Sequence, residues 1–514
     1  MKANFTFTLV GLCLLMISCK KDIVESNAGY QALNPATQDI NGGNWKPFIV
    51  VSSVGFILPD PVAVNSSAYK EELKELKTLS TNLSAEQQRA IDYWKVGSVL
   101  RWNEIMRELV AKHNIPPYQK EDGSYPAPSA ANPFSYPIFP FSNPPYAARA
   151  YAYLSLAQYD ALILAWKYKS LHNRPAPYKI DESIQVSVSK NDLPAYPSED
   201  AVVSGASLEI MKLLFPADVE YISTMAEQEK NYRLWSGANV KSDLAAGDSL
   251  GRWVARQVIQ RAKTDGMGAA GGNPALWAKL EEDCIAKGET PWISLESPIR
   301  PPMLPLFGNV KPLLFAAASI ATLRPGPPPS ANSSEMRKEL DEVLDYTSNP
   351  TKERLRIVNF WADGVATYTP VGHWNAIASD DFVRLQLSEI RWARNFALLN
   401  ASMMDAAIIC WNTKFFYFNA RPCQLDPRIK TLTGVPNFPA YISGHSTFSA
   451  AAATVLGYLV PQRATDFNAL ALEASNSRMY GGIHYRADCE QGLLTGEKIG
   501  DLAIARAQTD GANQ

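Results

Sequence analysis

The chain contains 514 residues, of which 46% are hydrophobic and 19% are charged, and its formal net charge is −2. This composition is sufficient for sizeable cores, and the length predicts two or more domain-sized units. The near-neutral charge and the lack of any run rich in lysine or arginine argue against a nucleic-acid-binding surface, so no nucleic-acid partner is expected.

The N-terminus is predicted to be a targeting segment. The apolar stretch at residues 5–17 is too short to cross a bilayer and is typical of a signal peptide spanning residues 1–18. Met16-Ile17-Ser18-Cys19 resembles a bacterial lipobox, in which the cysteine is acylated after cleavage. We therefore expect an exported bacterial lipoprotein, periplasmic or at the cell surface, with a polar tether at residues 19–45. An ordinary secretory signal is the alternative.

The body of the chain is predicted to be helical. A capping box at residues 84–87 starts a long amphipathic run to about Lys112. Further segments with helical spacing are residues 145–169, 200–214, 243–263, 336–347, 352–363, 383–412, 446–460 and 488–508. Strand-like alternation occurs only near Ile180–Val188. Pro-rich stretches at 115–145, 290–312 and 323–330 are predicted loops.

The chain also contains an internal repeat with an offset of 245 residues. Pro194-Ala195-Tyr196 falls on Pro439-Ala440-Tyr441, while Arg174-Pro175 needs a two-residue gap to meet Arg421-Pro422. The repeat predicts an all-α fold of two packed helical bundles that arose by duplication. We divide the chain into a degenerate first repeat (46–264), a Pro-rich connecting segment (265–335) and a catalytic domain (336–514).

The first copy is predicted to be a structural partner without an active site. Asp200 replaces His445 in it, and Asn239 replaces His484. Asparagine cannot act as a nucleophile or metal ligand as histidine does, and an anionic aspartate would repel an oxyanion.

Three short motifs near the C-terminus are predicted to carry the chemistry. They are Lys414 with Arg421-Pro422, Ser443-Gly444-His445, and Ser477-Arg478 with His484 and Asp488. Arginine offers a planar fork of donors for two oxyanion oxygens, and lysine adds a compact charge. Serine adds a hydroxyl donor, and glycine lets the backbone approach closely. Histidine titrates near neutrality, so one can attack or ligate while another transfers a proton.

This ordered set resembles the superfamily of type 2 phosphatidic acid phosphatases and vanadium-dependent haloperoxidases. Ile442 stands where that superfamily usually has proline. The resemblance implies a helical fold in which phosphate or vanadate is bound by Lys414, Arg421, Ser443, Gly444 and Arg478. It also implies that His484 is the vanadate ligand, or the nucleophile in a phosphatase, and that His445 is the acid–base.

Neighbouring residues resemble the chloroperoxidase-like branch. The resemblance implies that Trp411 and Phe438 border a halide site, and that Asp363 partners an active-site arginine, here Arg478. Asp488 has two open roles, because at four residues from His484 it can orient that ring or cap the helix that follows. His373 is expected to lie in a loop and to be structural.

The expected function is that of a vanadium-dependent haloperoxidase, which oxidises halide with hydrogen peroxide at a histidine-bound vanadate. The alternative is a phosphomonoesterase of the acid phosphatase type, with a phosphohistidine intermediate and no cofactor. A third possibility is a surface lipoprotein that binds a ligand without turnover. The expected partners are small molecules, and membrane contact is expected only through the lipid anchor. The oligomeric state is left open.

Overall fold

The computed structural model describes residues 30–115, 140–296 and 299–512. The predicted signal peptide, Cys19 and most of the predicted loop at 115–145 lie outside the described residues. Within them the secondary structure is helical, with no β-strand and one isolated bridge between Pro291 and Asn419. The all-α prediction is confirmed. The strand-like alternation near Ile180–Val188 was misleading, because this stretch is a loop that follows a short helix.

The helices divide into three groups along the chain. The first group is α1 (Ser67–Leu79), α2 (Ala85–Trp94), α3 (Ser98–His113), α4 (Pro144–His172), α5 (Pro177–Ile180), α6 (Glu199–Leu214), α7 (Val219–Trp235) and α8 (Lys241–Lys263). The connecting segment holds α9 (Pro274–Ala286) and α10 (Ile320–Leu323). The last group is α11 (Ser334–Ser348), α12 (Lys352–Phe360), α13 (Thr369–Phe382), α14 (Glu389–Tyr417), α15 (Pro422–Leu425), α16 (Gly444–Leu459), α17 (Ala464–Tyr480) and α18 (Arg486–Ala507).

The helices of the two halves correspond at the constant offset predicted from the repeat. Both ends of α4, α5, α6 and α7 fall on the ends of α14, α15, α16 and α17 at this offset, and the start of α8 falls on the start of α18. The short 3-10 turns at Pro216–Asp218 and Pro461–Arg463 keep the same offset. The two-residue gap predicted at Arg174-Pro175 is therefore wrong, because Pro177 corresponds to Pro422 and Ala176 stands at the position of Arg421.

Helices α4 and α14 form the centre of the molecule. Each has 29 residues, and most of both helices is buried. A helix buried on all sides needs internal partners for its polar side chains. Asn400 donates to Ser155, its equivalent in the other half, at 2.9 Å. A hydrogen bond between equivalent residues is the geometry expected where two copies meet at a local twofold axis.

Buried ion pairs recur at equivalent places in the two halves. The Arg149 Nε–Asp265 Oδ2 distance is 2.7 Å, and the Arg394 Nε–Asp510 Oδ2 distance is also 2.7 Å. Both pairs join the central helix of a half to the residues that follow its last helix. They fix α4 against α8 and α14 against α18.

The long amphipathic run predicted from residue 84 is two helices. It breaks before Gly97, whose φ of 126° is in a region that favours glycine. The Glu389 carboxylate accepts from the backbone N–H groups of Ser98 (2.6 Å) and Val99 (3.2 Å). A carboxylate from the other half therefore caps α3, which a local sequence pattern could not reveal.

Five of the longer helices, α1, α7, α9, α13 and α17, were not predicted. In two of them the buried face carries polar residues that interrupt the apolar stripe by which helices are recognised. Asn375 and Ser379 are buried on α13, and Ser477 and Arg478 are buried on α17.

The last part of the predicted tether at 19–45 belongs to the folded body. Residues 30–45 lie against the body, where Arg391 Nε donates to Asp39 at 3.0 Å and Trp45 is buried. Among the described residues, no helix is both long and apolar enough to cross a membrane.

We expect Asp510→Ala to lower the free energy of unfolding by about 3–5 kcal/mol, because it leaves the Arg394 guanidinium buried without its partner. Asp265→Ala, which strips Arg149 in the first half, should cost a similar amount. Asp466→Ala removes a surface ion pair with Arg463 and should cost less than about 1 kcal/mol. Denaturant unfolding of the three variants checks this. Equal losses in all three would contradict the role given to the buried pairs.

Candidate active site

The predicted site residues come together around one cavity of about 390 Å³. Each comes from a helix end or an adjoining loop: Lys414 from the last turn of α14, Arg421 from the N-cap of α15, Ser443, Gly444 and His445 from the N-terminus of α16, Arg478 from the last turn of α17, His484 from the next loop, and Asp488 from the first turn of α18. The cavity is lined directly by Gly444, His445, Arg478 and His484. The other four lie one layer deeper.

Lys414 is fully buried beneath the cavity. Its Nζ donates to the carbonyl oxygens of Pro439 (2.9 Å) and Ala440 (2.8 Å) and lies 5.0 Å from the centre of the Phe438 ring. Burial lowers the pKa of Lys414, because neutral carbonyl partners do not replace the hydration of an ammonium group.

Arg421 and Arg478 are the other two buried cations. Arg421 donates to the carbonyl oxygens of Phe438 (2.9 Å) and Ile483 (2.7 Å), and its Nη1 lies 3.0 Å from His484 Nε2. Arg478 donates to the carbonyl oxygen of Trp361 at 2.7 Å and to the hydroxyl of the preceding serine at 2.8 Å. Burial lowers the pKa of each guanidinium to about 10.

None of these three cations forms an ion pair with a carboxylate among the described residues. In the first half, the equivalent cations are neutralised. Lys169 lies 3.5 Å from a carboxylate oxygen of Glu199, and Arg233 Nε lies 3.2 Å from Asp200. Glu199 stands at the position of Gly444, and Asp200 stands at the position of His445. The second half therefore has no acid at the two positions where the first half pairs its cations.

His484 is held in one tautomer by Asp488. Its Nδ1 lies 2.7 Å from Asp488 Oδ2, which also accepts from the backbone N–H of Tyr485 at 3.2 Å. Asp488 thus orients the ring and caps α18, so both open roles are filled. Burial and the nearby Arg421 lower the pKa of His484 well below its ordinary value. The ring is neutral, and its Nε2 keeps a lone pair.

Asp363 forms no direct ion pair with Arg478, although its charge favours the charged form of that guanidinium. Its Oδ1 lies 3.0 Å from His373 Nδ1, and its Oδ2 lies 3.6 Å from His445 Nε2. The backbone supplies the acceptor for Arg478 instead, at Trp361. His373 is also not in a loop, since it lies buried on α13. Burial and the charge of Arg478 lower the pKa of His445 to about 4.

Trp411 and Phe438 border the cavity, and their ring centres are 5.0 Å apart. Trp411 Nε1 donates to the carbonyl oxygen of Met303 at 3.1 Å. Met303 and the ion pair between Glu296 and Arg300 belong to the connecting segment and line the same cavity. This segment therefore forms one wall of the site.

Sequence reasoning missed two residues that support the site. His373 lies ten residues after Asp363, and a turn separates them, so no helical period links the pair. Trp361 acts through its carbonyl oxygen, which leaves no trace in the side-chain pattern. The upstream aromatic cluster at residues 360–375 was the only available signal.

Comparisons with known proteins agree with this fold. The family model of the PAP2 superfamily matches residues 395–509. No relative is found among curated proteins. A structure described as the first bacterial vanadium-dependent iodoperoxidase is similar, with a TM-score of 0.56 and 23% identity over 71% of this chain and 91% of that chain.

A bacterial vanadium-dependent chloroperoxidase is also similar. Its apo form has a TM-score of 0.51 and 15% identity over 71% of this chain and 94% of that chain. Its holo form has the same score and identity over 74% of this chain and 96% of that chain. The predicted resemblance to this superfamily is confirmed.

In the first half Glu199 pairs with Lys169. We expect Gly444→Glu to place a carboxylate beside Lys414 in the same way. A side chain fits there, since an added Cβ would meet its nearest neighbours, Phe448 and Trp411, at 3.8 Å. The new carboxylate should weaken orthovanadate binding roughly 100-fold or more, because buried like charges repel by several kcal/mol. It should also raise the free energy of unfolding of the anion-free protein by pairing with Lys414.

The matched control is Gly444→Gln, which has nearly the same size and no charge. It should retain most of the affinity, as measured by isothermal titration. Equal losses in the two variants would mean that the effect is steric, and the neutralisation argument would fail.

The low pKa of His445 predicts a specific pH dependence of stability. Between pH 6.5 and 4 the unfolded chain binds a proton at this residue that the folded, anion-free protein does not. The free energy of unfolding therefore falls as the pH falls through this range. The free energy of unfolding of His445→Gln should therefore fall by about 2–3 kcal/mol less than that of the parent between pH 7 and pH 4. Urea unfolding at pH 7 and pH 4 measures it, and a pH-independent difference between variant and parent contradicts it.

Proposed function

We propose that this protein is a vanadium-dependent haloperoxidase, which converts hydrogen peroxide, halide and a proton into hypohalous acid and water at a vanadate bound to His484. One observation carries the proposal. Three buried cations without carboxylate partners among the described residues, Lys414, Arg421 and Arg478, surround a neutral histidine next to a cavity. Asp363 and Asp488 act on these three cations without forming ion pairs with them, so positive charge is in excess, and the space beside it suits a tetrahedral oxyanion.

The residues present fit vanadate. Arg421 and Arg478 offer forked donors, Lys414 adds a point charge, and the N-terminus of α16 at Ser443 and Gly444 adds a hydroxyl and the positive end of a helix dipole. When bound, vanadate supplies Lewis-acid activation of peroxide. His484 Nε2 is the ligand.

The chain's own residues prepare this ligand. Because Asp488 accepts the Nδ1 proton of His484, the lone pair lies on Nε2. In the anion-free site Arg421 Nη1 donates to that lone pair. The same N–H can donate to an oxyanion oxygen instead, so Arg421 stabilises both states.

His445 performs the proton transfer. Its pKa of about 4 makes the ring neutral at pH 7, so it can accept a proton from peroxide. A bound oxyanion favours the imidazolium and so raises that pKa. The rings of Trp411 and Phe438 cover the adjacent wall, which limits the access of water and suits a weakly hydrated halide.

A phosphomonoesterase is the second candidate, because the matched superfamily also includes phosphatases. In that reaction His484 Nε2 forms a bond to phosphorus as the ester P–O bond breaks, and His445 protonates the leaving alkoxide. Water then cleaves the P–N bond and releases phosphate. The same pocket would suit both reactions, since each needs buried cations around an oxyanion beside the neutral imidazole of His484.

The N-terminal motif indicates where the protein acts. We propose that the protein is exported and held at a membrane by acylated Cys19, with small molecules as its substrates. Radiolabelled palmitate incorporation into the parent protein and into Cys19→Ser tests the anchor. Equal incorporation would exclude it.

The decisive test of the function compares two assays on one sample. Purified protein is assayed for halide-dependent peroxide oxidation and for phosphate-ester hydrolysis, with and without orthovanadate. A haloperoxidase gains activity with orthovanadate, and phosphate competes with it. If orthovanadate only inhibits an existing phosphatase, the second candidate is correct.

We expect His484→Ala to reduce either activity to the background of the assay and to abolish orthovanadate binding, because the proposal assigns the bond to vanadium or phosphorus to His484 Nε2. His172→Ala, which removes a histidine far along the chain in the first half, is the control and should leave both unchanged. A folded His484→Ala protein with normal turnover would show that the site is wrongly assigned.

A further inference from the structure

Asp363 lies between two histidines, of which only His445 lines the cavity. The Asp363 carboxylate bonds through Oδ1 to His373 Nδ1 at 3.0 Å and faces His445 Nε2 with Oδ2 at 3.6 Å. The hydrogen bond from His373 and the proximity of His445 hold the pKa of Asp363 below its ordinary value, although burial alone would raise it. The aspartate is therefore an anion between two rings.

The two atoms that face each other have no other partners. Asp363 Oδ2 and His445 Nε2 are both buried and, within the described residues, neither has a hydrogen-bond partner closer than 3.5 Å. A buried polar atom without a partner is costly. Since the two atoms are only slightly beyond hydrogen-bond distance, a small rotation of either side chain satisfies both at once.

We propose that His373 is a positioning residue for the reaction: it fixes the Asp363 carboxylate so that Oδ2 orients the His445 ring and selects its tautomer. The proposal rests on the acid–base role given to His445 under the proposed function. It applies equally to halide oxidation and to phosphate-ester hydrolysis, because both reactions use that role.

The chemical consequence follows from the two nitrogens of imidazole. A neutral ring carries one N–H, and an anionic acceptor opposite Nε2 places that hydrogen on Nε2. Nδ1 is then the atom that accepts and returns the transferred proton. Without the aspartate anion, the ring is free to adopt the other tautomer, in which Nδ1 is already protonated and cannot act as a base.

His373 is itself held rigidly. Its ring stacks on Trp361, with centres 4.5 Å apart and planes at 27°, and the edge of Phe360 lies 5.0 Å away. Asp363 has a φ of 44°, an uncommon conformation for a residue other than glycine. The hydrogen bond from His373 stabilises the carboxylate in this position. The same turn supplies the Trp361 carbonyl that holds Arg478.

The groups that act electrostatically on His445 come from four elements. Asp363 precedes α13 and His373 lies on it, Arg478 lies on α17, and His484 lies in the loop before α18. Arg478 and a protonated His373 oppose protonation of His445, and Asp363 favours it. Loss of the hydrogen bond from His373 to Asp363 should therefore change the pH dependence of turnover as well as the turnover number.

The experiment uses two substitutions of His373 in the full-length protein. His373→Phe keeps the ring that stacks on Trp361 and removes the donor. His373→Asn removes the ring and keeps an amide N–H at about the place of Nδ1. His113→Phe is the matched control, because His113 also pairs with an aspartate, Asp218, and its own side chain does not line the cavity.

The first readout needs no activity. Nitrogen-15 spectra of the ring atoms are recorded for the anion-free protein, which has only five histidines. His445 should carry its proton on Nε2 in the parent, in His373→Asn and in the control, and should populate the Nδ1–H form in His373→Phe and in Asp363→Asn. A parent with the proton on Nδ1, or an unchanged spectrum in His373→Phe, overturns the proposal.

The second readout is turnover. His373→Phe should lower kcat roughly 10–100-fold, as loss of a supporting hydrogen bond does, and shift the pH profile. Orthovanadate affinity should change less than about threefold. His373→Asn should recover most of kcat, and His373→Phe should have no further effect in Asp363→Asn. An equal loss of affinity and kcat, or additive effects, would mean a structural role only. If His445 has the expected tautomers but the parent protein has neither haloperoxidase nor phosphatase activity, the proposed function is refuted and the positioning role of His373 is not.

Discussion

The site depends on buried positive charge that has no direct carboxylate ion pair among the described residues, although Asp488 and Asp363 act on it electrostatically. Lys414, Arg421 and Arg478 have lost their hydration, and carbonyl oxygens replace only part of it. Their lowered pKa values express that cost. Three helix ends, those of α14, α15 and α17, hold them in place, so their charges cannot move apart. The cost of keeping them together is offset when an oxyanion enters.

The two halves of the molecule differ in how their buried cations are balanced by negative charge. The first half keeps a lysine and an arginine at the equivalent positions and supplies its own anions, Glu199 and Asp200. The second half has a glycine and a histidine there. The same exchange that removes the internal counter-charge places His445, the proposed acid–base, beside the cavity. The first half contributes α4 to the central helix pair and keeps its buried Arg149–Asp265 bond, so it stabilises the fold.

Much of this was predictable from the sequence, for identifiable reasons. The eight motif residues are close in sequence to helix ends, and the superfamily that they resemble implies that they form one site. The constant offset between the two copies located the second bundle. The roles of Asp363 and His373 were not predictable, because their contacts depend on how a turn with a φ of 44° meets α13. Helix α17 was missed because the buried Arg478 interrupts the apolar stripe from which a helix is predicted. The residue that was assigned to the site is therefore the one that obscures the helical pattern.

The most direct measurement of the central claim is a crystal structure of the protein grown with orthovanadate. The account predicts one oxyanion per chain, bonded to His484 Nε2 and surrounded by Lys414, Arg421 and Arg478. It predicts none beside Lys169 and Arg233, where carboxylates already neutralise the cations. An empty second-half site at saturating orthovanadate, or an anion in the first-half pocket, would contradict it.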